Sequence, residues 1–129
     1  MSIDLIMLAW SAALCLALAI PYTLGMTQRV GLPTMAGNRE SVPEPEGWMA
    51  RAKRAHLNMV ENLAPFGALV LVAHVAGQAD GTTALGAQLF FWGRLAHAVV
   101  YIAGLPWVRT AAYVVSVIGM VIIFLKLVS

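Results

Sequence analysis

Three short runs of this chain carry side chains able to do chemistry. In the first, Arg54, Asn58 and Glu61 stand at i, i+4 and i+7, so a helix turns all three to one face. In the second, Arg94, His97 and Tyr101 stand at i, i+3 and i+7. In the third, Arg109 and Tyr113 stand at i and i+4. Each run lies in or beside a long apolar stretch. A charge turned toward lipid is costly, so such faces turn into a protein interior or a polar cavity. The other hydrophobic segments are expected to surround these faces.

Each group also has a plainer reading. Arg54, with Arg51 and Lys53, is able to snorkel to the membrane surface as an anchor. That would leave unexplained why Asn58 and Glu61 carry the same face inward. Glu61 and Arg94 lie at similar depths and are expected to form a structural ion pair between their helices, which is compatible with a site nearby. Arg109 alone reads as an interface anchor, and His97 alone as a hydrogen-bonded core histidine. His56 falls on a different face from Arg54 and Asn58 and reads as inter-helical, and His74 as structural. The seven methionines read as packing. No metal-ligand spacing, nucleotide loop or nucleophile–base pair occurs, so no metal is expected.

The composition says what positions these runs. Of 129 residues 60% are hydrophobic and 11% charged, and the mean hydropathy is +0.80. Soluble domains carry about 25% charged residues, so the chain reads as an all-α integral membrane protein. A net charge of +2 is too small to suggest nucleic-acid binding. The one cysteine, Cys15, lies in an apolar run and can form no disulfide within the chain. Met1-Ser-Ile-Asp4 lacks the basic region of a signal peptide, so the first segment is expected to be a retained helix.

Leu5 to Met26 contains no charge and matches the roughly 20 residues of a membrane helix. Thr27 to Gly47 reads as a loop, because glycines 31, 37 and 47 and prolines 33, 43 and 45 break any period. The chain is expected to form one domain, 1–129, with helices about 3–27, 48–77, 82–103 and 107–127. Pro21 and Pro65 are expected to bend the first and second of these. Arg94 and Arg109 also permit one kinked or re-entrant element in place of the last two helices. Gly104 and Pro106 favour two.

Arg29, Arg39, Arg51, Lys53 and Arg54 flank the first connection and Arg109 the third, whereas the second has only Asp80. The positive-inside rule then places connections one and three in the cytoplasm and both chain ends outside, in an inner membrane. Trp48 and Trp107 fall at the cytoplasmic interface. The three polar runs meet in that half of the bilayer, with Glu61 about 10 Å deeper than Arg54 at 1.5 Å per residue.

Arg54-Ala-His56-Leu-Asn58-Met-Val-Glu61-Asn-Leu-Ala-Pro65-Phe66 resembles a signature of the MAPEG family, the membrane-associated proteins in eicosanoid and glutathione metabolism. Gly93-Arg94-Leu-Ala-His97-Ala-Val-Val-Tyr101 and Arg109-Thr110-Ala-Ala-Tyr113 resemble most the microsomal prostaglandin E synthase branch of it. The resemblance implies a homotrimer of four-helix bundles with glutathione as co-substrate, held between subunits near the cytoplasmic face. It implies that Arg54, Asn58, Glu61, His97, Tyr101, Thr110, Tyr113 and Arg29 bind glutathione, that Arg109 is the catalytic residue facing the thiol, and that Arg94 braces Glu61. Leu57 and Asn62 depart from the pattern. Prostaglandin synthases carry a further arginine at the first position and leukotriene C synthase a tyrosine at the second.

The activity implied is a glutathione-dependent transferase or peroxidase. It would act on a lipophilic electrophile or hydroperoxide delivered by membrane lipids. The rival class is a non-enzymatic lipid-binding or scaffold protein of the same fold. A small transporter subunit is a third, but the chain lacks the paired repeats that would favour it.

Overall fold

The computed structural model describes residues 1–129 and contains helices and no strand. The helices are α1 (Ile3–Val30), α2 (Leu32–Ala36), α3 (Trp48–Val75), α4 (Gly81–Ala103) and α5 (Pro106–Val128). The four long ones run alternately up and down. Pro21 and Pro65 lie within α1 and α3, and each helix continues through its proline. Where the sequence predicts only a broken loop, one helical turn, α2, follows α1. Gly31, at φ 90°, ends α1, and Pro33 sits in the first turn of α2, where its missing N–H costs nothing. Met35 of α2 is buried, which holds the turn against the bundle.

α1, α3 and α5 are long and apolar enough to cross a membrane. α4 is long enough but is not among these spans, since Thr82, Thr83, Gln88, Arg94 and His97 interrupt its apolar run. Packing resolves this. α4 touches α1, α3 and α5, and Thr83, Gly86, Ala87, Phe90, Gly93, Arg94, His97 and Ala98 are all buried. Those positions recur at helical spacing, so one whole side of α4 is enclosed. Outward-facing residues are mostly apolar: Leu16, Ile20, Leu24, Leu71, Trp92, Val99, Ile118 and Phe124 are exposed. An apolar outside around a more polar centre identifies an integral membrane four-helix bundle.

The core is layered on Phe66 and Phe90, whose rings stack with centroids 3.8 Å apart. Met59, Val70, Ala87 and Ile123 pack around them. α4 and α5 approach through small residues. A Cβ on Gly86 would lie 2.5 Å from the Gly119 carbonyl oxygen, and one on Gly93 would lie 2.9 Å from the Ser116 nitrogen. Membrane helices gain van der Waals contact by such close backbone approach.

The two ends of the bundle differ. At one, Asp4 is buried and its Oδ2 accepts a hydrogen bond from Thr83 Oγ1 at 3.1 Å, while Oδ1 lies 3.0 Å from His74 Nε2. This ties α1 to α3 and α4. Asp80 caps α4, accepting from the N–H groups of Thr82 and Thr83, and its backbone N–H donates to Thr83 Oγ1. The Thr83 N–H, the Lys126 ammonium 3.1 Å away and the Thr82 N–H hold the Asp80 carboxyl below the usual carboxylate range. At the other end lie Arg29, Arg39, Arg51, Lys53, Arg54 and Arg109. Tyr22 and His56 there join α1 to α3 by a 3.1 Å hydrogen bond.

Gly86→Val is expected to force α4 and α5 apart and to cost about 1–3 kcal/mol. Thermal unfolding in detergent, compared with Leu85→Val on the exposed side of the same helix, checks this. Equal unfolding temperatures would contradict the close approach.

Candidate functional site

The site follows from the placement of α4. Enclosing one side of that helix brings Arg94, His97 and the ring of Tyr101 against α3 and α5. Asn58, His97, Tyr101, Arg109, Thr110 and Tyr113 together line a cavity of about 270 Å3 at the basic end. A smaller one, about 140 Å3, is lined by Arg51, Arg54, Gly104 and Leu105 and shares Tyr101 and Arg109 with the first.

Tyr101 joins the two. Arg54 Nε donates to its hydroxyl at 3.3 Å, and the Arg109 guanidinium carbon lies 4.6 Å from its ring centre. The Arg94 guanidinium carbon lies 5.9 Å from the ring centre of Tyr113. His97 stands between Tyr101 and Tyr113, with ring centres 5.3 and 6.3 Å away. It is buried, and its Nδ1 has no hydrogen-bond partner. Guanidinium faces resting on aromatic rings keep their edge N–H donors free for a ligand. Thr110 Oγ1 donates to the Pro106 carbonyl four residues earlier, as a hydroxyl within a helix commonly does. The site is therefore rich in donors and carries no carboxylate.

The expected ion pair between Glu61 and Arg94 does not form within the chain. Arg94 Nη2 donates instead to Asn58 Oδ1 at 2.6 Å, and Glu61 is exposed beside Val60 and Ala64. Three residues along a helix turn the side chain about 60° back around the axis. Turning Asn58 to α4 therefore leaves Glu61 on the outer face of α3. Glu61 and Arg29 line neither cavity. Arg29 is exposed in the last turn of α1.

Two residues join the site that sequence reasoning gave other roles or none. Arg51, read as a surface anchor, donates from Nε to the Ile102 carbonyl at 3.0 Å. A cation there satisfies a free carbonyl at the end of α4 and complements the helix dipole. Its position one turn before Arg54 was the available signal. Asn62 Nδ2 donates to the Asn58 carbonyl at 2.8 Å and lies 3.4 Å from Asn58 Oδ1. Its i+4 spacing from Asn58 was the signal.

Fold and site together define a membrane helical bundle with a cationic, aromatic-lined cavity at one end. The model of the MAPEG family matches residues 5–129, and the chain belongs to that family. Microsomal glutathione S-transferase 1 from Homo sapiens is 38% identical over 56 residues, as are the Sus scrofa and Bos taurus proteins of that name. The match spans 43% of this chain and 36% of the length of each relative. No solved structure matches.

Asn58→Leu is expected to strand the buried Arg94 and to cost about 1.5–3 kcal/mol, the worth of a hydrogen bond to a charged group. Adding Arg94→Met should cost less than the sum of the single losses. Additive unfolding shifts in all four proteins of this cycle would contradict the contact.

Proposed function

We propose that the protein is a glutathione-dependent transferase or peroxidase acting on lipophilic electrophiles or hydroperoxides. The observation that carries this reading is the gathering of Asn58, His97, Tyr101, Arg109, Thr110 and Tyr113, from three helices, around one cavity. These are residues to which the family resemblance assigns thiol binding. The likeness to microsomal glutathione S-transferases supports the same choice of thiol. The donor set fits: glutathione is an anionic tripeptide, and the cavity offers guanidinium, amide, imidazole and phenol groups with no competing carboxylate.

Glutathione supplies the nucleophilic sulfur. A free thiol has a reference pKa of about 8.5, so little of it is ionised at neutral pH. Arg109 would lie beside the sulfur and favour its anion, more strongly in a membrane-enclosed site than in water. Tyr101 holds the Arg109 guanidinium from beneath. Arg54 and Asn58 would bind the polar ends of the tripeptide, while Thr110, Tyr113 and His97 bound the space around the sulfur. The acceptor would enter sideways from the bilayer, across the apolar outer face of the bundle.

In this reading the assembly is a homotrimer. Glu61 supports it, because an exposed carboxylate on a membrane-spanning face calls for cover by protein. The basic end, with its site, would face the cytoplasm and the Asp4 end would face outward, as the positive-inside rule directs. Mass measurement in mild detergent is expected to show three copies. A monomer alone would contradict the shared site.

Arg109→Ala is expected to keep appreciable glutathione binding and to lose turnover of a generic aryl halide. Loss of one or two units of thiol pKa depression lowers the thiolate fraction by up to about 10–100-fold. Arg109→Lys should recover part, since an ammonium lacks the planar fork of donors. Arg54→Ala should raise KM with less effect on kcat. If the wild type turns over no member of a panel of electrophiles and hydroperoxides, the enzyme reading falls and the non-enzymatic lipid-binding reading replaces it.

A further inference from the structure

Arg94 is the largest fully buried side chain in the protein, at 1% exposure, and no carboxylate reaches it. Its Nε and Nη1 have no hydrogen-bond partner. Its Nη2 donates at 2.6 Å to one atom of a cavity residue, Asn58 Oδ1. A second donor, Asn62 Nδ2, lies 3.4 Å from the same oxygen. An amide has two ends, one accepting and one donating, and its orientation follows from its partners. With the Asn58 amide reversed, an NH2 group would face a guanidinium at 2.6 Å, donor against donor. Only one orientation is tolerable: oxygen toward Arg94, nitrogen away from it.

We infer that Arg94 is a positioning residue: by holding Asn58 Oδ1, it turns the Asn58 amide so that Nδ2 donates into the cavity, which makes Asn58 a contact for acceptor groups alone. The identity of the ligand, glutathione, rests on the function proposed above. The orientation of the amide rests on the Arg94 contact.

The consequence is selectivity. Asn58 lines the cavity with Arg109, Tyr101, Thr110, Tyr113 and His97. An amide free to flip would meet a ligand ammonium or a ligand carbonyl equally well. An amide fixed with its N–H groups outward rejects the donor and accepts the carbonyl or carboxylate. Specificity of this kind comes from the group left unpaired when the wrong partner arrives. Arg94 thus acts on the ligand through Asn58, from behind the cavity wall.

Two measurements test this. The first is glutathione binding to purified protein in detergent, by calorimetry, with KM and kcat read in parallel. Arg94→Met is expected to weaken binding roughly tenfold, about the worth of one hydrogen bond, through KM and with kcat little changed. Arg94→Lys, which keeps a donor, should restore most of the affinity. Asn58→Asp, which puts an acceptor where Nδ2 stood, should weaken binding at least as much as Arg94→Met. In an Asn58→Ala background, Arg94→Met should have no further effect on affinity. An Arg94 effect that persists undiminished in that background would overturn the inference, because Arg94 would then act by its own charge. So would an Arg94→Met protein that unfolds earlier yet binds normally when folded, since that is a structural tie alone.

The second measurement needs no ligand. In protein labelled with 15N-asparagine, the Asn58 NH2 signal is assigned by its loss in Asn58→Ala. It should shift and average on Arg94→Met, and recover its position and narrow width in Arg94→Lys. An Asn58 signal indifferent to Arg94 sinks the inference even if glutathione binds. Should the wild type bind no glutathione, the proposed function fails by itself, and the amide signal still decides the role of Arg94.

Discussion

The structure depends on one constraint: one side of α4 is too polar to lie against lipid. Its Arg94, His97 and Thr83 must be enclosed, and the other three long helices enclose them. The glycines at positions 86, 93 and 119 make the enclosure tight on the α5 side. The aromatic stack of Phe66 on Phe90 closes it on the α3 side. With that side enclosed, the basic end of α4 carries Tyr101 and the ring of His97 to the same cavity as Arg109 and Asn58. The site is a by-product of hiding one polar helix, and its donors are those that hiding could not fully satisfy.

That origin explains why the site lies where it does. At the Asp4 end the polar groups find partners: buried Asp4 meets His74 and Thr83, and the surface carboxylate of Asp80 meets Lys126. At the basic end they do not. Arg94 has one partner for three nitrogens, His97 has an unpartnered Nδ1, and Arg54 and Arg109 meet a phenol and a ring rather than a carboxylate. A membrane protein retains unsatisfied polar and cationic groups at a cost. A bound anion would lower that cost, and this is the physical content of the proposal that the cavity receives an anionic thiol.

Much of this arrangement is legible in residue spacing. The i, i+3, i+7 pattern of Arg94, His97 and Tyr101 places them on one side of a helix, and the break at Gly104 and Pro106 turns Arg109 back toward them. The all-α membrane character follows from composition. Spacing carries no information about how far each helix is rotated against its neighbours. For that reason spacing pairs Arg94 with Glu61, although the rotation of α3 sends Asn58 inward and Glu61 outward. The Arg51 contact with the Ile102 carbonyl was hidden for another reason: it joins a side chain to a backbone atom 51 residues away. The short α2 was hidden because one turn of helix stands on local proline chemistry and a single buried methionine, below the reach of any periodicity.

The central claim is that cationic groups at the basic end stabilise an anionic sulfur. A pH titration of the ultraviolet thiolate absorbance of glutathione bound to the wild-type protein tests it most directly. The account predicts a thiol pKa at least about one unit below the free reference value of about 8.5, returning toward that value in Arg109→Ala. Glutathione that binds with an unshifted thiol pKa would contradict it.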